Sequence, residues 1–433
     1  MNKVYKFAAL NIAATGFPDG RAGLFVDRDL ESILPLELYI PWLDLWPMSL
    51  SKRKGYYFLA EHQLWYNNVE RAPLNKRAWV LQERLLSPCT LHFGHSQLFW
   101  ECAEFTRPEV HPKRDHFSNE LHWVEKLPLL RSIQSTSSED IESATFEISS
   151  IDNSHATLSM TDTGRDKSQL YNLWGRIMCS YSTKTLTNPE DVFPALSGLA
   201  QEFKHFLKDR YLAGLLEGNL LQTLLWFRRG SEAPLVSSYR APSWSWASFT
   251  GSIASSYGWK HKLERKARSQ ILEASTTPVA DETGQLVDGY IRIKDALTRA
   301  AYSETENAWK AKDKLTHLIM DTKGFIGGED LRRERESEHA PFRYNFTLIE
   351  HEHKDTELFL LPLFSNACQY PREGLTGLVL TPCDIVRGHY YRCGILTCES
   401  SQVHERLNAG FVLLDEQYYE EYHGEGEYVI SII

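Results

Sequence analysis

The sequence predicts an α/β segment, then a helical segment, then a β-rich C-terminal region. Three observations carry that reading. Over 77–86, apolar residues fall at Trp79, Val80, Leu81, Leu85 and Leu86, the spacing of a short amphipathic helix, and alternating runs at 90–93 and 97–102 follow it as a strand pair. Leu173, Trp174, Ile177 and Met178 mark one face of a later helix. From Tyr239 onward, short alternating runs bounded by turn residues replace the helical spacing.

The elements follow in order. Val4, Tyr5 and Ala8 fit one face of a short helix, and 10–14 reads as a buried strand. The stretch 15–20 is rich in turn residues and forms a loop. Short strands are expected at 36–42 and 55–59. The helix at 77–86 stops at Ser87-Pro88, because the residue before proline is pushed out of helical geometry, and Gly94 lies near the turn between the next two strands. Residues 132–168 are rich in Ser, Thr, Asp and Glu, a composition that buries too little apolar surface to offset chain entropy, so they read as a linker or surface insertion. Helices are expected at 191–206 and 211–226, interrupted at Gly218-Asn219. Strands are expected at 289–293, 357–363, 377–380 and 390–396. The domain division that results is 1–105, 106–170, 171–238 and 239–433.

Composition narrows the function classes. At 433 residues the chain has room for two or three domains. Its net charge of -10 argues against a phosphate-binding groove, and so against nucleic acid as a partner. Seven cysteines, an odd number without zinc-finger spacing, suit reduced thiols and a cytoplasmic location. The lysines of the first six residues and the apolar 7–14 faintly resemble a secretory leader; the run is short and broken by Asn11, so it reads as a helix end running into a strand. No apolar run is long enough to span a membrane.

The most patterned stretch also carries a resemblance. Arg77-Ala78-Trp79-Val80-Leu81-Gln82-Glu83 has an Arg-x-Trp-x-x-Gln-Glu core, continued by Leu91-His92-Phe93 and Leu98-Phe99-Trp100-Glu101-Cys102. Upstream stand Tyr5, Ala8, Ile12-Ala13-Ala14-Thr15, Gly23-Leu24-Phe25 and Arg28-Asp29. Downstream stand Trp174, Tyr181-Ser182, Leu186-Thr187, Asp191, Ala195-Leu196-Ser197-Gly198, 211–215 and Ala241-Pro242-Ser243-Trp244-Ser245-Trp246-Ala247. Together these resemble fungal heterokaryon-incompatibility (HET) domain proteins over roughly residues 1–250. The C-terminal 377–380 and 391–394 fit more weakly.

That resemblance implies 1–105 as the C-terminal part of a HET domain, distantly similar to TIR domains with a flavodoxin-like fold. The family's domain normally opens with a Leu-Ser-Tyr-x-Trp-Gly motif and a second block of Asp-x-Leu-Cys-Ile-x-Gln type. Neither occurs in this chain, so the expectation is a HET domain lacking its N-terminal part, with an exposed sheet edge and poor solubility. The implied function is non-self recognition linked to programmed cell death in fungi, as a signalling or effector module acting through self-association or with other incompatibility proteins. Two alternatives stand beside it: a TIR-like NAD glycohydrolase, and an inactive truncated fragment.

For NAD cleavage the candidate catalytic residue is Glu83, beside Gln82 and one and a half turns after Arg77. Its carboxylate would stabilise the positive charge that develops on a ribosyl carbon as nicotinamide leaves; NAD would be a substrate, and no cofactor is implied. The competing and heavier reading makes Arg77, Gln82 and Glu83 a buried polar network holding the helix to the sheet. Trp79 and Trp100 are expected in the core, and Cys102 as a motif position. Trp244 and Trp246, two apart, would share one face of a strand packed against the helical region.

Other motifs carry less. Gly94-His95-Ser96 begins like a nucleophile elbow, but Leu98 occupies the second glycine's place. His351-Glu352-His353 would put two imidazoles on one strand face with no further ligand cluster, so a metal is not expected. The basic run 260–268 reads as a solvated loop or helix face. No phosphate-binding loop is present.

Overall fold

The computed structural model describes residues 2–433 apart from 22, 26, 29, 35, 41–54, 60, 62, 104, 111–144, 150–154, 160–162, 230–238, 256–263, 304–307, 312–319, 322–343, 349–356, 368–373 and 399–412. Two compact units make up the chain, one of residues 1–169 with 184–189, the other of 170–183 with 190–433. Helices and several sheets give a mixed α/β chain with a β-rich C-terminal region.

The first unit holds α1 (Asn2–Lys6), β1 (Asn11–Ala13), α2 (Leu30–Ile33), the antiparallel hairpin β2 (Leu36–Ile40) and β3 (Gly55–Leu59), and α3 (Ala78–Leu86). After α3 come β4 (Cys89–Phe93), β5 (Leu98–Cys102) and β6 (Thr106–Pro108). One sheet runs β1-β4-β5-β6, with β1 parallel to β4 and the other pairs antiparallel. The helix at α3 follows from its apolar spacing, which buries Ala78, Val80, Leu81, Leu85 and Leu86. Arg77 enters it extended, and the orphan Ala78 N–H is taken by the Thr185 carbonyl at 2.9 Å. Ser87 is extended ahead of Pro88, and its hydroxyl donates back to the Glu83 carbonyl at 2.7 Å.

Burial alternates along β4 and β5, so Thr90, His92, Phe99 and Glu101 face inward together. The Gly94-His95-Ser96 stretch is a hairpin turn, not a strand-to-helix elbow: the Gly94 N–H donates to the Gln97 carbonyl at 3.1 Å. Gly16 packs on this turn so closely that a Cβ there would lie 2.4 Å from the His95 nitrogen. On the outer edge, β1 leaves Ile12 at 57% exposure. Within the 132–168 stretch, read as a linker or surface insertion, described residues pair as the hairpin β7 (Thr145–Ser149) and β8 (His155–Ser159). Phe146 and Ile148 supply the alternation that its polar composition hides.

From Leu170 onward α4 (Thr163–Ser182) belongs to the second unit, where it buries Leu173, Trp174, Ile177, Met178 and Tyr181; α5 (Ser197–Leu207) follows. The expected helix at 211–226 is absent. In its place stand β9 (Tyr211–Leu212), β10 (Leu215–Leu216), a short α6 (Leu220–Thr223) and β11 (Trp226–Arg228), which pairs with β12 (Ile253–Ser255). The cause is the turn between β9 and β10, where Ala213 (φ 48°) and Gly214 (φ 88°) are both left-handed.

The C-terminal sheet comprises β13 (Glu264–Ala267), β14 (Gln270–Pro278), β15 (Leu286–Ala296), β16 (Thr298–Ser303), β17 (Ala308–Ala311), β18 (Met320–Asp321), β19 (Tyr344–Leu348), β20 (Leu358–Ala367), β21 (Gly374–Pro382), β22 (His389–Cys398), β23 (Glu421–Tyr422) and β24 (Glu427–Ile432). Its pairings close on themselves through β20, β16, β17, β18, β19, β22, β21 and back to β20. Closure removes free edges from those strands. The basic run at 260–268 contributes β13, paired with β20, rather than a free loop or helix face over its described part.

Candidate functional site in the first unit

The inward parity of β4 and β5 brings polar groups from five separated segments together. Arg84 lies in the last turn of α3 with its side chain 7% exposed, and Glu101 on β5 has 3%. Arg84 Nε donates to Glu101 Oε2 at 2.8 Å and Nη2 to Oε1 at 2.9 Å, a parallel two-bond pair. The other side of the same guanidinium meets Glu70, which ends a π-helical turn (Tyr66–Glu70): Nη1 to Oε2 at 3.0 Å and Nη2 to Oε1 at 2.7 Å.

His92 Nε2 reaches Glu101 Oε2 at 2.9 Å, and its Nδ1 lies 2.8 Å from Thr15 Oγ1. A carboxylate accepts only, so Nε2 carries a proton. Trp65 Nε1 donates to Glu70 Oε1 at 3.2 Å, while its ring packs edge-on against His92 and Phe99. Trp65, Val69 and Phe99 form the apolar wall of the cluster.

The electrostatics explain why these charges tolerate burial. Desolvation pushes the Glu70 carboxyl up, and the charge and hydrogen bonds of Arg84 more than reverse that, so its pKa is lowered. Burial opposes the Arg84 charge, but Glu101 and Glu70 hold it well above its ordinary value. Lys184 supplies a further cation near Glu70; burial lowers its own pKa, with Glu70 opposing. This is a saturated network, and its chemistry is to hold segments together rather than to meet a substrate.

The residues singled out in the motif fare differently. Glu83 is half-buried and bonded to the Tyr5 hydroxyl, whose pKa is raised by burial and by Glu83. Gln82 is buried at 3%, whereas Arg77 is exposed at the helix entrance. The three therefore do not share one environment, and the polar network forms one residue further on, at Arg84. Trp79, Trp100 and Cys102 are half-buried, so neither tryptophan lies in the full core. His351-Glu352-His353 lies outside the described residues, and the described ones contain no group of His, Cys, Asp and Glu able to hold a metal.

Trp244 and Trp246 are buried at 0% and 3%, but in a turn and a 3-10 helix (Trp246–Ser248), not on a strand. Ser245 causes this, its hydroxyl accepting the Ala247 N–H at 3.1 Å and donating to the Ala213 carbonyl at 2.6 Å. Trp246 packs edge-on against Tyr181 and Phe193 of the helical region.

Compared with family models, curated proteins and solved structures, the chain finds no match. Among the described residues, no helix is long and apolar enough to cross a membrane.

Proposed function

We propose that this chain acts as a HET-type signalling or effector module in fungal non-self recognition and programmed cell death. One observation supports the reading above others. Segments singled out by resemblance, around Thr15, Arg84, His92 and Glu101, meet in a single buried cluster. Motif residues that hold a fold together are what an interaction module needs, since its surface must be presented by a rigid body. The parallel pairing of β1 with β4, with α3 on the connection between them, is in keeping with a TIR-like α/β core.

A second reading, NAD cleavage, rests on Glu83, whose half-buried carboxylate stands outside the closed network. Expression in fungal cells, with viability and NAD content followed together, separates the two. The proposal expects cell death with NAD retained, undiminished in Glu83→Gln and abolished in Arg84→Ala. NAD loss that disappears in Glu83→Gln would replace it with the enzyme. Viable cells at full expression would leave the chain without effector activity.

A further inference from the structure

We propose that Cys89 and Cys102 form a reversible cross-strand disulfide that locks β4 to β5 beside the Arg84–Glu101 pair. The two residues are direct partners in the antiparallel register, and both stand as half-buried thiols. Their side chains lie on the face of the sheet opposite Thr90 and Glu101, so the bond would not intrude on the buried network.

The ladder also sets the class of pair. At the turn, the Gly94 N–H donates to Gln97, making that pair hydrogen-bonded. Hydrogen-bonded and non-bonded pairs then alternate along the hairpin. Through Phe93/Leu98, His92/Phe99, Leu91/Trp100 and Thr90/Glu101, the alternation reaches Cys89/Cys102 as a non-bonded pair. The Cys102 N–H bears this out, donating to the Phe105 carbonyl at 3.0 Å and so pointing away from β4. In such pairs the Cα atoms lie about 4.5 Å apart and the side chains approach most closely. That separation falls at the short end of the roughly 4.4–6.8 Å range that a disulfide spans. Within that range the two sulfurs can be joined without moving the backbone, and a half-buried bond stays within reach of thiol reductants.

The oxidant is a hydroperoxide. One thiolate attacks the peroxide oxygen, the O–O bond breaks, and a sulfenic acid forms with release of water or an alcohol. The second thiolate attacks that sulfur, the S–S bond forms, and hydroxide leaves to be protonated to water. Two thiols lose two electrons and the hydroperoxide gains them. The contact from Cys102 Sγ to the Phe105 carbonyl, 3.5 Å long, is given up in the process. Thiol reductants reverse the bond.

The test is brief exposure of the whole chain to hydrogen peroxide, with alkylation, proteolysis and mass spectrometry. The expected product is a peptide pair linked through Cys89 and Cys102, lighter by two hydrogens and separated by dithiothreitol. Oxidation should raise the melting temperature of wild type by several degrees and leave Cys89→Ser and Cys102→Ser unchanged. Both thiols recovered alkylated, a sulfinic acid at either without a link, or a link to any other cysteine would overturn the proposal. The peptide map needs only wild type, so it stands if a variant fails to fold.

Discussion

Arg84 and Glu101 are joined by two parallel hydrogen bonds of 2.8 and 2.9 Å between side chains 7% and 3% exposed. Such a pair is worth little against an apolar substitute, but removing one partner leaves a buried charge uncompensated. Arg84→Ala should therefore cost about 3–5 kcal/mol, and Glu101→Ala a similar amount. The double variant should cost clearly less than their sum, because each single change already breaks the pair. Urea unfolding of the four proteins at neutral pH closes the cycle; additive losses would mean that the two side chains act independently.

Acid stability should depend on Glu70. Arg84 overcomes the desolvation that burial imposes, so the folded pKa lies below the ordinary value of 4.5. A carboxylate lowered in this way contributes stability that is complete above its unfolded pKa and lost as pH falls through the folded one. The stability of the first unit should hold down to the ordinary glutamate range and decline below it. Glu70→Gln should cost about 1–3 kcal/mol at pH 7, since Trp65 and Arg84 lose a charged acceptor. It should also flatten the acid limb, which melting curves between pH 7 and 3 would reveal. An acid limb as steep as wild type would assign it to other groups.

Much of this first unit was legible before folding. The apolar spacing of α3, its stop at Ser87-Pro88 and the alternation around Gly94 are local signals, and local signals survive tertiary packing. The polar cluster was half legible. Arg84 sits among Leu81, Leu85 and Leu86 on the buried side of α3, and Glu101 shares inward parity with Phe99. A charge on each of two inward faces demands a partner, and that signal points to the pair. Glu70 was not legible, because it comes from a π-helical turn with no periodic pattern of its own. The 211–226 stretch misled for the opposite reason: its leucines have helical spacing, while Ala213 and Gly214 take left-handed angles that composition does not announce.

Gly214 should tolerate no side chain. Its φ of 88° disfavours any L residue, and an added Cβ would lie 2.5 Å from Trp246 Nε1. Its carbonyl also accepts both Trp174 Nε1 at 3.0 Å and Trp246 Nε1 at 3.2 Å, so a shift to relieve the clash would break two buried bonds. Gly214→Ala should destabilise the second unit by about 2–4 kcal/mol, combining backbone strain with overpacking. Differential scanning calorimetry should show a lower transition for that unit, with any separate transition of the first unit unmoved. A change below about 0.5 kcal/mol would place Gly214 among ordinary surface positions.

Arg392 presents the reverse of Arg84, a buried cation that pairs with no carboxylate among the described residues. Its guanidinium stacks 3.8 Å from the Trp226 ring centre and donates to the Trp226 carbonyl, while Nε and Nη1 find no hydrogen-bond partner among the described residues. Burial brings its pKa down to about 9, with Cys393 opposing. The folded state thus disfavours the proton that the unfolded chain keeps, and the cost is full at neutral pH. Arg392→Met keeps the apolar stem over the indole and deletes the charge, so it should stabilise the protein by about 1–3 kcal/mol at pH 7.5. Because the unfolded chain binds the extra proton between the two pKa values, wild-type stability gains from this group as pH rises above about 9. The advantage of Arg392→Met should accordingly shrink between pH 7.5 and 10. Paired urea melts at those two pH values measure it directly. A destabilised Met variant, or a difference that stays constant with pH, would mean that the stack and its carbonyl bond outweigh the buried charge.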